Sequence, residues 1–220
     1  MGTSALRPAS GLDLEGNDQR RRIIDAMIDS CAEKTYAATT ITDIVAGARI
    51  SRTTFYKQFD DKRACFDAAI ARCIDQLQEV AASAHDSEDA PADAVRKGTT
   101  AVIEALAERP GLAQLLTGDA IAVDPQVIEC YRKVTIPALA ALWARENGSA
   151  EPHSDPRLAF GKAQVLILNQ IALGKADRLP ELLPELVYLA VSPFGGHETA
   201  LQQSQLASKG ATSGAAPSER

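Results

Sequence analysis

The chain has 220 residues, a hydrophobic fraction of 45% and a formal net charge of -6, so a sizeable folded core is affordable and a generally nucleic-acid-coating protein is excluded. No apolar stretch, the one around Ala163 to Leu168 included, approaches the roughly 20 residues a membrane span needs, and no basic start followed by an apolar run marks a secretory signal. Cys31, Cys65, Cys73 and Cys130 form no C-x-x-C pair, which suits reduced thiols and a cytoplasmic location.

Residues 1–17 are polar and carry Pro8, Gly11 and Gly16, and read as a flexible arm. Ile23, Ile24, Met27, Ile28 and Cys31 then recur at helical spacing through about Tyr36. Thr40 followed by Asp43 is close to a capping box and opens a second helix to about Ala48, with Ile41, Ile44, Val45 and Ala48 facing inward. Ser51 is placed to cap a third short helix, roughly Arg52 to Phe59, and Asp61 to cap a longer fourth, Lys62 to about Ala84. The polar stretch 83–93 reads as a boundary between modules.

Beyond it the pattern stays helical: about 92–107, then a short segment at 112–117. Asp124-Pro125 and Asp155-Pro156 each pair a capping side chain with a proline at the first helical position, opening helices to about Glu146 and about Lys175. Pro137 predicts a kink or break in the first of these. A last helix, about Pro180 to Val191, is expected to stop before Pro193-Phe194-Gly195-Gly196, leaving residues 197–220 as a mobile tail. No stretch alternates as a strand would, so the fold class is all-α, about nine helices in all.

Charge is uneven along this layout. From Gln19 to Arg63 there are nine basic and six acidic residues, a surplus of three, which leaves -9 on the rest of the chain. A basic module on an acidic body points to a local polyanion contact. Within that module only Arg49-Ile50-Ser51 separates the second helix from the third, which is short and polar on its outer face. Two helices so joined fit helix-turn-helix logic, with the second helix in a major groove. Hydroxyls, helix-start amides and Lys or Arg are the groups that reach phosphates.

The segment TTITDIVAGARISRTTFYKQFDDKRACF, residues 39–66, resembles the DNA-binding region of the TetR/AcrR family of transcriptional regulators. Thr40, Ile44, Ala48, Ile50-Ser51, Thr54, Tyr56, Phe59, Lys62 and Phe66 carry the likeness. The resemblance implies a helix-turn-helix domain over 18–62, a helical ligand-binding and dimerisation domain over 63–196, a homodimer, and double-stranded operator DNA as partner. Thr35 and Arg49 depart from it, because the family usually has glycine at both positions. A left-handed Arg49 would carry strain of about 1–2 kcal/mol; an opened turn is the alternative.

Arg52, Thr53 and Lys57 are the candidates for reading bases. Ser51, Thr40, Thr54, Tyr56, Arg49 and Lys62 are the candidates for phosphates, Lys62 together with free amides at the start of the fourth helix; Arg20 to Arg22 could add backbone contacts. Phe55 and Phe59 are expected in the core. Leu115, Leu116, Tyr131, Trp143, Gln164 and Leu168 could line a pocket for a largely apolar small-molecule effector. The resemblance also implies a four-helix dimer bundle, to which Leu182, Leu183, Leu186, Val187 and Ala190 contribute an apolar stripe.

The expected function is a ligand-responsive, sequence-specific regulator, a repressor released from a pseudo-palindromic operator by its effector. No metal site or cofactor is called for. An enzyme is disfavoured, since His85, His153 and His197 show no metal-ligand spacing and no nucleophile or phosphate-loop motif occurs. Control by oxidation of Cys65 and Cys73 is the remaining alternative, although eight residues along one helix set them about 12 Å apart.

Overall fold

A computed structural model of the chain describes residues 11–148 and 151–213. All of the described regular structure is helical: α1 Gly11–Lys34, α2 Ile41–Gly47, α3 Arg52–Gln58, α4 Lys62–Ser83, α5 Pro91–Glu108, α6 Pro110–Gln114, α7 Ala120–Val123, α8 Val127–Asn147, α9 Pro156–Ala172 and α10 Leu183–Ser213. A π-helical turn, Leu115–Asp119, joins α6 to α7, and a 3-10 segment, Ala176–Leu182, leads into α10. The described chain divides after Ala71, inside α4, into two compact units.

The first unit is built on apolar side chains at helical spacing. Ile23, Met27 and Cys31 of α1, Ile44 and Ala48 of α2, Phe55 and Phe59 of α3, and Cys65, Phe66 and Ala69 of α4 are all buried. Each short helix has a side-chain cap at its start. The Thr40 hydroxyl accepts from the Asp43 amide at 3.2 Å while the Asp43 carboxylate accepts from the Thr40 amide at 2.9 Å. Ser51 Oγ accepts from the Thr54 amide at 3.0 Å, and Asp61 from the Ala64 amide at 2.7 Å. These caps supply partners for amides that a short helix leaves unbonded.

The second unit packs α5 against α10 and the 3-10 segment, with Val95, Ile103, Leu106, Leu179, Leu186, Val187 and Val191 in its core. Asp155 caps α9 ahead of Pro156, as its spacing predicts. Asp124 does not do the same for α8. Pro125 lies in a turn, the Asp124 carboxylate accepts from the Gln126 amide at 2.9 Å, and α8 begins at Val127. Helix α8 then runs through Pro137 without interruption.

Two larger expectations are corrected. Residues 11–17, read as part of an arm, belong to α1, and residues 1–10 lie outside the described residues. The last helix does not end before Pro193, because α10 continues to Ser213 across a bend at Gly196 (φ 75°, ψ 175°). Ala200, Gln203 and Ala207 of this continuation are buried, so it is packed helix through that point and not a loose tail; residues 214–220 lie outside the described residues. Arg96 of α5 holds it, donating Nε to Gln203 Oε1 at 2.7 Å and a terminal nitrogen to Asp93 at 3.0 Å.

Candidate nucleic-acid interface

The turn between α2 and α3 is a Schellman motif. The Arg49 amide donates to the Ala46 carbonyl at 3.2 Å and the Ile50 amide to the Val45 carbonyl at 3.1 Å. This pattern requires a left-handed residue where Arg49 stands, and its φ is 54°. The turn has therefore kept its closed geometry and Arg49 bears the strain. Thr35 also ends α1 at positive φ, 87°, but through a single bond from its amide to the Cys31 carbonyl at 2.9 Å. Its own carbonyl accepts from both the amide and the hydroxyl of Thr39, at 3.1 and 2.8 Å, which fixes the approach to α2.

From that turn α3 presents one buried and one open face. Phe55 and Phe59 are buried, with ring centroids 5.9 Å apart, while Arg52, Thr53, Tyr56 and Lys57 are exposed. The Arg52 guanidinium lies 5.9 Å from the centroid of Tyr56, and Tyr56 meets Phe55 edge-on at 5.4 Å. Tyr56 is 48% exposed despite its size. Thr40, Arg49 and Ser51 are exposed at the α2–α3 edges, and Thr54 is half-buried with its hydroxyl 2.9 Å from that of Ser51. No hydrogen bond or ion pair engages the side chains of Arg49, Thr53 or Lys57 among the described residues.

Lys62 is placed differently from the expectation. Its ammonium donates to the carbonyls of Tyr36 and Thr39, both at 2.9 Å, and sits 4.1 Å from the Tyr36 ring centroid. It closes the α1–α2 connection from inside the unit, and Asp61, already at the start of α4, supplies the anion there. Arg20 is likewise turned inward, donating to the Gln58 carbonyl at 2.8 Å. Only Arg21 and Arg22 of that basic run are exposed, and both lie beside Asp18. Sequence spacing gave no signal for either inward cation, because both partners are backbone carbonyls distant in the chain.

The residues expected around an effector are packed instead. Leu115 and Leu116 are buried, Trp143 is buried against Phe194 with centroids 5.8 Å apart, and the Tyr131 hydroxyl donates to the Leu116 carbonyl at 2.6 Å. Burial holds the Tyr131 phenol protonated by pushing its pKa up. Gln164 and Leu168 are half-buried on α9. None of the six borders the cavity of about 380 Å³ between α4, α5 and α6 that includes Cys73, Leu77, Val80, Arg109 and Leu112.

The apolar stripe expected at a dimer seam is largely packed within the unit. Leu183, Leu186 and Val187 are buried within the monomer, and Leu182 and Ala190 are half-buried. The large apolar side chains left outside in this unit are Leu158, Val165 and Leu173 at 62%, 65% and 58% exposure, with Leu201 at 42% and Leu206 at 40%. Leu158, Val165 and Leu201 border a groove of about 780 Å³ together with Tyr188, Lys162 and Glu185. The spacing 158, 165, 172–173 on one helix was the available signal. Cys65 and Cys73 are buried, and desolvation pushes the Cys65 thiol up to about 12, so neither is a ready thiolate.

A three-helix head with a capped, outward-facing reading helix, followed by a separate helical unit, defines a helix-turn-helix regulator. Residues 23–69 match the family of bacterial regulatory proteins, tetR family. The chain is 30% identical over 183 residues to the HTH-type transcriptional regulator EthR of Mycolicibacterium smegmatis, covering 78% of this chain and 82% of that protein. It is 32% identical over 59 residues to IcaR of Staphylococcus aureus, the negative transcriptional regulator of the biofilm operon icaADBC, covering 27% of this chain and 32% of that one. In fold it is similar to the regulator FadR of Bacillus subtilis solved with stearoyl-CoA, with TM-score 0.59 and 15% identity over 80% of this chain and 98% of that one. The chain belongs to the tetR family of transcriptional regulators.

Proposed function

We propose that the protein is a ligand-responsive repressor acting as a homodimer on a pseudo-palindromic operator in the cytoplasm. The observation that carries this is the outer face of α3, where Arg52, Thr53, Tyr56 and Lys57 stand exposed on a helix fixed at both ends. Arg52 and Lys57 suit guanine O6 and N7, and the Thr53 methyl suits a thymine methyl. Thr40, Ser51, Tyr56 and Arg49 are assigned to phosphates; Lys62 serves the frame. In footprinting of the DNA flanking its own gene, a protected pseudo-palindrome whose affinity falls with salt is the expected result. Absence of any sequence-specific protection at low salt would refute the reading.

The second copy is assigned to the groove on α9 and α10. In a two-fold interface Lys162 of each copy can face Glu185 of the other, around Leu158, Val165 and Leu201. The effector is assigned to the cavity between α4, α5 and α6, whose apolar lining carries Arg109 and Glu79 as its charged groups. The stearoyl-CoA held by the B. subtilis regulator makes a long-chain acyl compound a reasonable first probe. Its differential affinity for the DNA-bound and free states sets the size of the response.

A further inference from the structure

Arg20 stands apart from the two arginines that follow it. Arg21 and Arg22 are exposed beside Asp18, whereas Arg20 is half-buried and makes no carboxylate pair among the described residues. One of its terminal nitrogens donates to the Gln58 carbonyl at 2.8 Å, and its guanidinium carbon lies 4.1 Å from the centroid of Phe59. Gln58 is the last residue of α3 and Phe59 its C-cap. A helix C-terminus leaves carbonyls without amide partners and carries the negative end of the helix dipole. A guanidinium meets both needs and stacks on a ring at the same time, which an ammonium does less well.

We propose that Arg20 is a positioning residue for sequence readout: it fixes the C-terminal end of α3 and does not itself bind phosphate. The contact continues inward, since Phe59 packs on Phe55 and Phe55 meets Tyr56 edge-on beside Arg52. Thus α3 is held at one end by the Ser51 cap and at the other by Arg20. Base contacts tolerate little displacement, whereas phosphate contacts through long cations are more forgiving. Loosening α3 should cost specific binding and spare non-specific binding. The proposal rests on α3 being the reading helix.

The test uses the full chain with duplexes enriched by the wild-type protein from a random-sequence library, and a scrambled duplex of equal length. Affinities are measured by fluorescence anisotropy at several salt concentrations, at a temperature where circular dichroism shows each variant folded. Arg20→Met is expected to weaken the enriched duplex by about tenfold, the order of one base contact, while the scrambled duplex changes by less than about twofold. The slope of log affinity against log salt should stay unchanged. Arg20→Lys should fall between, and it carries the test if Arg20→Met does not fold.

An equal loss on both duplexes with a slope shallower by about 0.9 would make Arg20 a phosphate ligand and overturn the proposal. An unchanged ratio of enriched to scrambled affinity would leave only a structural role and overturn it equally. If the wild type enriches no sequence, the regulator reading itself fails, and the proposal with it. That outcome is seen before any variant is made.

Discussion

At residue scale, Thr35 and Arg49 are the positions where local preference and fold disagree. Both are left-handed without being glycine, at φ 87° and 54°. Relief of about 1–2 kcal/mol of strain, less about 0.4–1 kcal/mol for glycine's added freedom in the unfolded chain, leaves a net gain. Thr35→Gly and Arg49→Gly should each stabilise the first unit by roughly 0.5–1 kcal/mol, read as a higher denaturation midpoint with an unchanged m-value. If Arg49→Gly also weakens DNA binding, the arginine is retained for its charge. The departure itself was visible in the sequence; which way the turn resolved it was not, since two backbone hydrogen bonds decide the matter.

Asp43 gives a pH prediction at the same scale. Hydrogen bonds from Lys34 and from the hydroxyl and amide of Thr40 hold its carboxyl well below the usual carboxylate range. A depressed folded pKa means stability present above the unfolded pKa and lost as pH falls through the folded one. The difference in stability between wild type and Asp43→Asn should therefore be largest near neutrality, begin to shrink below about pH 5 and go on shrinking as the pH falls further. A difference that stays constant on acidification would show the carboxylate's charge to be irrelevant. Lys34 mirrors this, its pKa raised chiefly by the hydrogen bond to Asp43, so its share is full below the ordinary lysine value and fades above it.

At the scale of elements, caps and apolar spacing made the first unit largely legible. Thr40, Ser51 and Asp61 cap as their positions imply, and Phe55 and Phe59 are buried. The end of the chain was not legible, because Pro193 and the paired glycines usually signal a stop. Here Gly196 turns the chain at φ 75° and ψ 175° and the helix resumes. That combination is open to glycine and strained for other residues, by about 1–3 kcal/mol. Gly196→Ala should lower the stability of the second unit by about that amount in chemical denaturation, although its new Cβ would find ordinary contact with His153 at 3.7 Å. No loss on substitution would mean the bend is readily reshaped.

The residues expected at an effector site and at a dimer seam are largely packed within the unit for a common reason. Periodicity identifies an apolar face but not what covers it. Leu183, Leu186 and Val187 carry a strong stripe, yet intramolecular packing of the second unit buries all three. The weaker stripe at Leu158 and Val165 is the one left exposed.

At the scale of the whole molecule, that exposed stripe is the testable feature. Val165→Glu, at a side chain 65% exposed, should leave helix content unchanged and halve the mass seen by light scattering at micromolar concentration. Binding to a half-site should survive while binding to the full palindrome drops. A mass unaltered by both Val165→Glu and Leu158→Glu would place the second copy elsewhere. The acidic balance of the chain outside Gln19–Arg63 disfavours any other contact with DNA, so affinity should depend on salt through the reading head alone.

The tie between Arg96 and Gln203, 107 residues apart in sequence, also sets an order of events during synthesis. The buried residues of the first unit, Ile23 to Ala69, are all made early. The second cannot close over α5 until Ala207 has been made. At about 5–20 residues per second, that separation corresponds to roughly 10 s of translation. For that interval the nascent chain carries the helix-turn-helix head without a folded second unit. If the second copy docks on α9 and α10 as proposed, dimerisation would act as a safeguard in time, because a lone head on half an operator is held only weakly.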